Sequence, residues 1–140
     1  MLRYNIIGVT GLAAGLLAGT ASAETGKVGV ELNKLEAVDG GCRAYMVFDN
    51  ASGHAFDAYT LDLVIFDSRD VIAKRLAVRT RGLRADKTTV KLFDIQGVAC
   101  GDVGRILLNR VRDCQPAGDA TVDCTALTAT SSRTDAAFVK

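Results

Sequence analysis

Four cysteines offer the clearest chemistry in this chain: Cys42, Cys100, Cys114 and Cys124. An even number of thiols in a short chain reads as a disulfide framework when the chain is exported, with three possible connectivities. Zinc is the competing chemistry. It would need closely spaced thiolates and histidines, yet no C-x-x-C knuckle occurs and His54 is the single histidine. The spacing therefore predicts disulfides. Ser52, His54 and Asp57 supply the residue types of a nucleophile, a base and an orienting acid. Crowded into one short loop, they have nothing in their spacing to align them for attack, so His54 reads as an ordinary loop residue. No glycine-rich phosphate loop and no G-x-S-x-G elbow is present in the sequence. No catalytic residue, cofactor site or metal site is expected.

Basic side chains form the other grouping. Arg75, Arg79 and Arg81 share parity, so an extended strand would project them from one face, and Arg84 and Lys87 follow. Guanidinium groups so arranged suit an anionic partner, such as a lipid headgroup, an acidic glycan or an acidic protein surface. The plainer reading is a solvated face neutralised by acidic neighbours. Charge segregation supports that reading: residues 24–67 hold three basic and eight acidic side chains, whereas 68–112 hold eleven and four. Adjacent antiparallel strands can pair such segments. A formal net charge of +1 disfavours a globally basic nucleic-acid binder. The arginines also lack the interleaved aromatics of a base-stacking platform.

Residues 1–23 read as a cleavable signal peptide. Arg3 precedes an apolar, glycine-rich run from Ile6 to Gly19, and Ala21-Ser22-Ala23 is a small-residue cleavage site. The run is too short to cross ~30 Å of hydrocarbon as a helix, so no transmembrane anchor is expected. Export predicts a periplasmic or secreted protein beginning at Glu24. The remainder is expected to be one β domain over 24–128, followed by a loose tail over 129–140.

The elements that must position these groups read as short strands. Lys27–Leu35 alternates Val28, Val30 and Leu32 inward, and Cys42–Asp49 does the same with Ala44, Met46 and Phe48. Ala58–Asp67 and Val71–Arg79 flank the polar turn Asp67-Ser68-Arg69-Asp70, the form of a hairpin with a four-residue loop. Asp67 is expected to hydrogen-bond the backbone two residues on, and Asp70 to take the left-handed conformation. Lys74 falls on the inner face of its strand, as in protected edge strands. Thr88–Ile95 carries an expected bulge near Phe93-Asp94, Val103–Val111 follows, and Val122–Thr128 is expected as a closing strand. Asn50-Ala51-Ser52 matches a glycosylation acceptor.

Six or seven such strands, with no amphipathic helix, predict an all-β, antiparallel β-sandwich. Taking the strands as an up-and-down series places Cys42 and Cys100 at one end and Cys114 at the other, about 20 Å away. Cys42 should therefore pair with Cys100, and Cys114 with Cys124.

The pattern Val47-Phe48-Asp49-Asn50-x-x-Gly53, then Leu63-Val64-Ile65-Phe66-Asp67, then Val71-Ile72 resembles FxLYD-type, immunoglobulin-like domains of bacterial exported proteins. The chain also resembles uncharacterised secreted proteins of alphaproteobacteria. The resemblance covers Cys42 to Cys114, departs where Arg69-Asp70 replaces a glycine-containing turn, and implies a sandwich with no catalytic residue. The function expected is a non-catalytic binding or accessory module whose partner is a protein or envelope component. The alternative is a small secreted enzyme or enzyme inhibitor with a site built from loops.

Overall fold

The computed structural model describes residues 25–118 and 120–140. The expected signal peptide and its cleavage site lie outside the described residues. Among the described residues, eight strands form two four-stranded sheets that enclose one core, a sandwich-like arrangement. The first sheet has the order β5-β2-β1-β7, from β1 (Val28–Val38), β2 (Gly41–Asn50), β5 (Lys87–Gln96) and β7 (Thr128–Ser132). The second has the order β4-β3-β6-β8, from β3 (Phe56–Phe66), β4 (Ile72–Thr80), β6 (Arg105–Pro116) and β8 (Ala137–Val139). Among the described residues, no helix is long and apolar enough to cross a membrane.

Period-two alternation places the core. Val28, Val30 and Leu32 of β1 and Ala44, Met46 and Phe48 of β2 are all buried, facing Leu61, Leu63 and Ile65 of β3 and Ile106 and Leu108 of β6. Burying a Leu or Phe side chain is worth roughly 1.5–3 kcal/mol, so these alternating runs outweigh any single polar contact in the fold. The β3–β4 hairpin forms as its sequence predicts. Asp67 Oδ1 accepts from the backbone N–H groups of Arg69 at 2.9 Å and Val71 at 3.0 Å. Asp70 adopts φ 62°, the left-handed region.

Within the sheets the pairings fit an up-and-down alternation from β2 through β6, since β5 is antiparallel to β2, and β4 and β6 are antiparallel to β3. The disulfides follow that alternation: Cys42 is bonded to Cys100 and Cys114 to Cys124, with Cα separations of 4.9 and 6.4 Å. No free cysteine is present among the described residues.

Four expectations about the fold need correction. The sheets are mixed, not wholly antiparallel: β7 runs parallel to β1, and β8 parallel to β6. Residues 129–140 are not a loose tail. They hold most of β7 and all of β8, and Phe138 is buried in the core. Their Thr, Ser and Ala composition gave no apolar alternation, so one aromatic and backbone pairing carry the segment. Val122–Thr128 is not a strand either. It contains a single helical turn, α1 (Cys124–Leu127), whose cap is Asp123 accepting from Ala126 N at 3.1 Å.

The bulge expected near Phe93-Asp94 is also absent, since β5 pairs with β2 in unbroken register from Gly41↔Gln96 to Asn50↔Lys87. Asp94 simply faces outward, where Arg43 of β2 donates to both its carboxylate oxygens at 2.7 and 3.0 Å. Register shifts fall elsewhere, one of them on β6 between the pairs Asp62↔Arg110 and Leu63↔Leu108, leaving Asn109 as the extra residue.

Candidate functional site: an arginine face and a cationic cleft

The arginine series divides in two. Register sets the outer face of the β4-β3-β6-β8 sheet in rows: Arg79–Thr60–Arg112, then Ala77–Asp62–Arg110, then Arg75–Val64–Leu107. Arg75 and Arg79 therefore share a face as their parity predicts, and β6 adds Arg110 and Arg112 from the other side of β3. Sequence reading missed those two because neighbourhood across a sheet is set by register between strands far apart in sequence. The signal available was the alternation Arg110-x-Arg112 in a strand with an Ile-Leu-Leu centre.

One carboxylate organises this face. Asp62 is 4% exposed. It accepts from Arg75 Nη2 at 2.9 Å and Asn109 Nδ2 at 3.1 Å, with Arg110 Nε at 3.5 Å. The β6 bulge is what brings the Asn109 amide to it. The hydrogen bond from Arg75 holds the Asp62 carboxyl below its ordinary pKa, against the opposing effect of burial. One anion thus stands among four guanidinium groups, and Arg79 and Arg112 make no ion pair within 4.0 Å among the described residues. At the far end of the face, Arg105 stacks over the Phe66 ring at 3.6 Å and bonds Asp70 Oδ1 at 2.6 Å.

Arg81 and Arg84 leave this face. Gly82, at φ 87°, turns the chain after β4, a conformation that strains any side-chain-bearing residue. Leu83 then exchanges two 2.8 Å backbone hydrogen bonds with Phe56 and is buried. Arg81 and Arg84 consequently line an open cleft of about 420 Å³ with Lys87, Asp57 and Thr88, floored by Leu83. None of the three cations forms an ion pair among the described residues.

Asn50 fixes that end of the molecule. Fully buried, it donates from Nδ2 to the carbonyls of His54 at 2.7 Å and Arg84 at 3.0 Å. Its Oδ1 accepts from Ser52 N at 3.2 Å and Ser52 Oγ at 2.6 Å. Every hydrogen-bonding position of the amide is used, and two loops are latched together. Because both amide hydrogens are engaged in the interior, the Asn50-Ala51-Ser52 acceptor pattern is closed to a glycan in the folded chain. Ser52 Oγ is committed to Asn50 and also accepts from His54 N at 3.1 Å, while the His54 ring lies tilted against Phe56 at 6.3 Å. The loop positions Ser52 as a turn-former.

A second anchor, Tyr59, was not singled out by the sequence. Its hydroxyl donates to Cys124 O at 3.2 Å and shares a hydrogen bond with Thr128 Oγ1, fastening β3 to α1 and β7. Burial raises its pKa to about 12.

No protein-family model matches the chain, and no curated protein matches it. IrmA from Escherichia coli is similar in structure, with a TM-score of 0.56 and 12% identity over 74% of this chain and 90% of that one. At that identity the likeness shows a shared β fold and nothing of function.

Proposed function

We propose that the chain is an exported, non-catalytic binding module that docks onto an anionic component of the bacterial envelope. The observation that carries this reading is the outer face of the β4-β3-β6-β8 sheet, where four arginines surround the buried carboxylate of Asp62. Asp62, itself bonded by Asn109, pairs with Arg75 and Arg110, so less side-chain freedom is lost on docking. Arg79 and Arg112 flank Thr60 with no acidic partner of their own among the described residues. Export is supported by the two disulfides, by the signal-peptide pattern of residues 1–23, and by a core built from one small domain. The immunoglobulin-like reading and the kinship with FxLYD-type domains are supported by the Asn50 latch with nearby Gly53, and by the Phe66-Asp67 corner leading into β4.

The test is association of Arg79→Ser/Arg112→Ser with phosphatidylglycerol vesicles and, separately, with heparin. The wild type should bind one of the two in a salt-sensitive manner, which tells a phosphate surface from a sulfated glycan. The double variant, which leaves Asp62 with both its arginines, should lose about tenfold in affinity with an unchanged unfolding midpoint. Wild-type binding to neither probe, or affinity that survives the substitutions, would overturn the reading.

A further inference from the structure

A different part of the surface carries an unpaired strand edge. Four strands end the two sheets, and they are unequal. On one side, β7 and β8 have only five and three residues. On the other side stand β4 and β5, with nine and ten. Residues 81–86 join these two, and Lys74 Nζ of β4 reaches Gln96 O at the end of β5 at 2.7 Å. Long edges leave rows of N–H and C=O groups without partners, and native chains usually blunt them. β4 is blunted: its register with β3 shifts between Ile65 and Phe66, and Lys74 sits on its inner face. β5 has an inward Lys91 opposite buried Met46, but no register shift anywhere along its length. It is the straighter and longer of the two open edges.

Its outward side chains are unusual as well. Val90 and Leu92 are 53% and 50% exposed, and their cross-strand partners on β2 are Val47 and Tyr45. An apolar strip therefore runs along the outer surface beside the free backbone edge. The strip ends, toward the start of β5, at the cleft of Arg81, Arg84 and Lys87. Free backbone, apolar positions spaced by two, and a cationic terminus lie in one line.

We infer that β5 accepts an extended peptide of a partner protein as a fifth strand of its sheet, with a carboxylate-rich end seated in the Arg81–Arg84–Lys87 cleft. Main-chain hydrogen bonds would supply affinity, and alternate side chains lying over Val90 and Leu92 would supply specificity. Polarity follows from the geometry. β5 runs away from the cleft, so an antiparallel peptide brings its C-terminal end to the cations. The preferred ligand thus alternates apolar residues and finishes with acidic ones, and its own terminal carboxylate adds to the match. Charge complementarity selects this occupant over a second copy of the chain, whose antiparallel β5 would bring Gln96 and an Asp94 already held by Arg43 to the cleft in place of free carboxylates.

Two fluorophore-labelled synthetic peptides test this. One alternates Val with Thr and ends in Glu residues; the other has the same composition with the Glu residues placed first. The first peptide should bind the folded protein, and its binding should slow amide hydrogen exchange in β5 while leaving β7 unaffected. Reversing the peptide, or replacing Arg84→Ser with Lys87→Ser, should weaken binding at least about tenfold. Both substituted side chains are exposed, so the fold should survive. Leu92→Lys gives an independent check on the apolar strip and should also weaken binding. Failure of the first peptide to bind, equal binding of the two peptides, or protection appearing outside β5 would overturn the proposal. Self-association that protects β5 in sedimentation and exchange would overturn it in favour of a second copy.

Discussion

Asn50→Asp would exchange one amide nitrogen for an oxygen, and the structure predicts that this is enough to loosen one end of the molecule. The carbonyls of His54 and Arg84 would lose the Asn50 amide donor and face a carboxylate at a fully buried side chain. An orphaned buried polar group costs about 1–3 kcal/mol; here the Arg84 carbonyl loses its side-chain donor and the His54 carbonyl keeps only Ser52 Oγ at 3.4 Å. Denaturant unfolding of Asn50→Asp should show a loss of at least about 2 kcal/mol, with Asn50→Ala close behind. Gly53→Ala tests the neighbouring turn less severely, since only its φ of 82° and no neighbouring atom opposes a side chain. The difference separates a latch from a turn. Asn50 was visible in the sequence only as a strand end and a glycan acceptor. Its partners lie four and 34 residues away, and no local pattern reports the second.

At the level of strands, legibility followed burial. β1, β2 and the β3–β4 hairpin alternate apolar and polar residues cleanly because one face of each meets the core, and the sequence reading placed them to within a few residues. β7 and β8 are held by parallel pairing and by Phe138, and such contacts leave no periodic trace. The candidate site was half legible for the same reason. Parity found Arg75 and Arg79, Gly82 removed Arg81 and Arg84, and register between distant strands brought Arg110 and Arg112. Tyr59 shows how these late elements are fastened, since its hydroxyl meets both Cys124 and Thr128. Its folded-state pKa of about 12 lies above the free phenol value. The protonated phenol is therefore favoured by folding, and its contribution is whole below pH ~10. That contribution declines as pH rises toward about 12. Phenolate absorbance should show Tyr59 ionising only as the structure melts. Tyr59→Phe should remove that alkaline loss while costing about 1 kcal/mol near neutrality.

For the whole molecule, the two disulfides divide unequal tasks. Cys42–Cys100 closes 58 residues of chain and Cys114–Cys124 only 10. In the chain-entropy account the long loop contributes roughly 4 kcal/mol and the short one somewhat under ~3. Cys42→Ser should lower the unfolding midpoint more than Cys124→Ser, and Cys42 is also the more deeply buried of the two. Equal losses would mean that local packing around α1 outweighs chain entropy. The two parallel pairings carry a consequence in time. β7 and β8 flank β1 and β6, yet both follow every other strand in the chain. A polypeptide emerging from its N-terminal end can join six strands and still show two raw sheet margins until Thr128–Val139 arrives. During that interval the nascent domain is most exposed to mispairing with its neighbours. Closure waits for a segment whose own sequence has almost no hydrophobic pull, apart from Phe138.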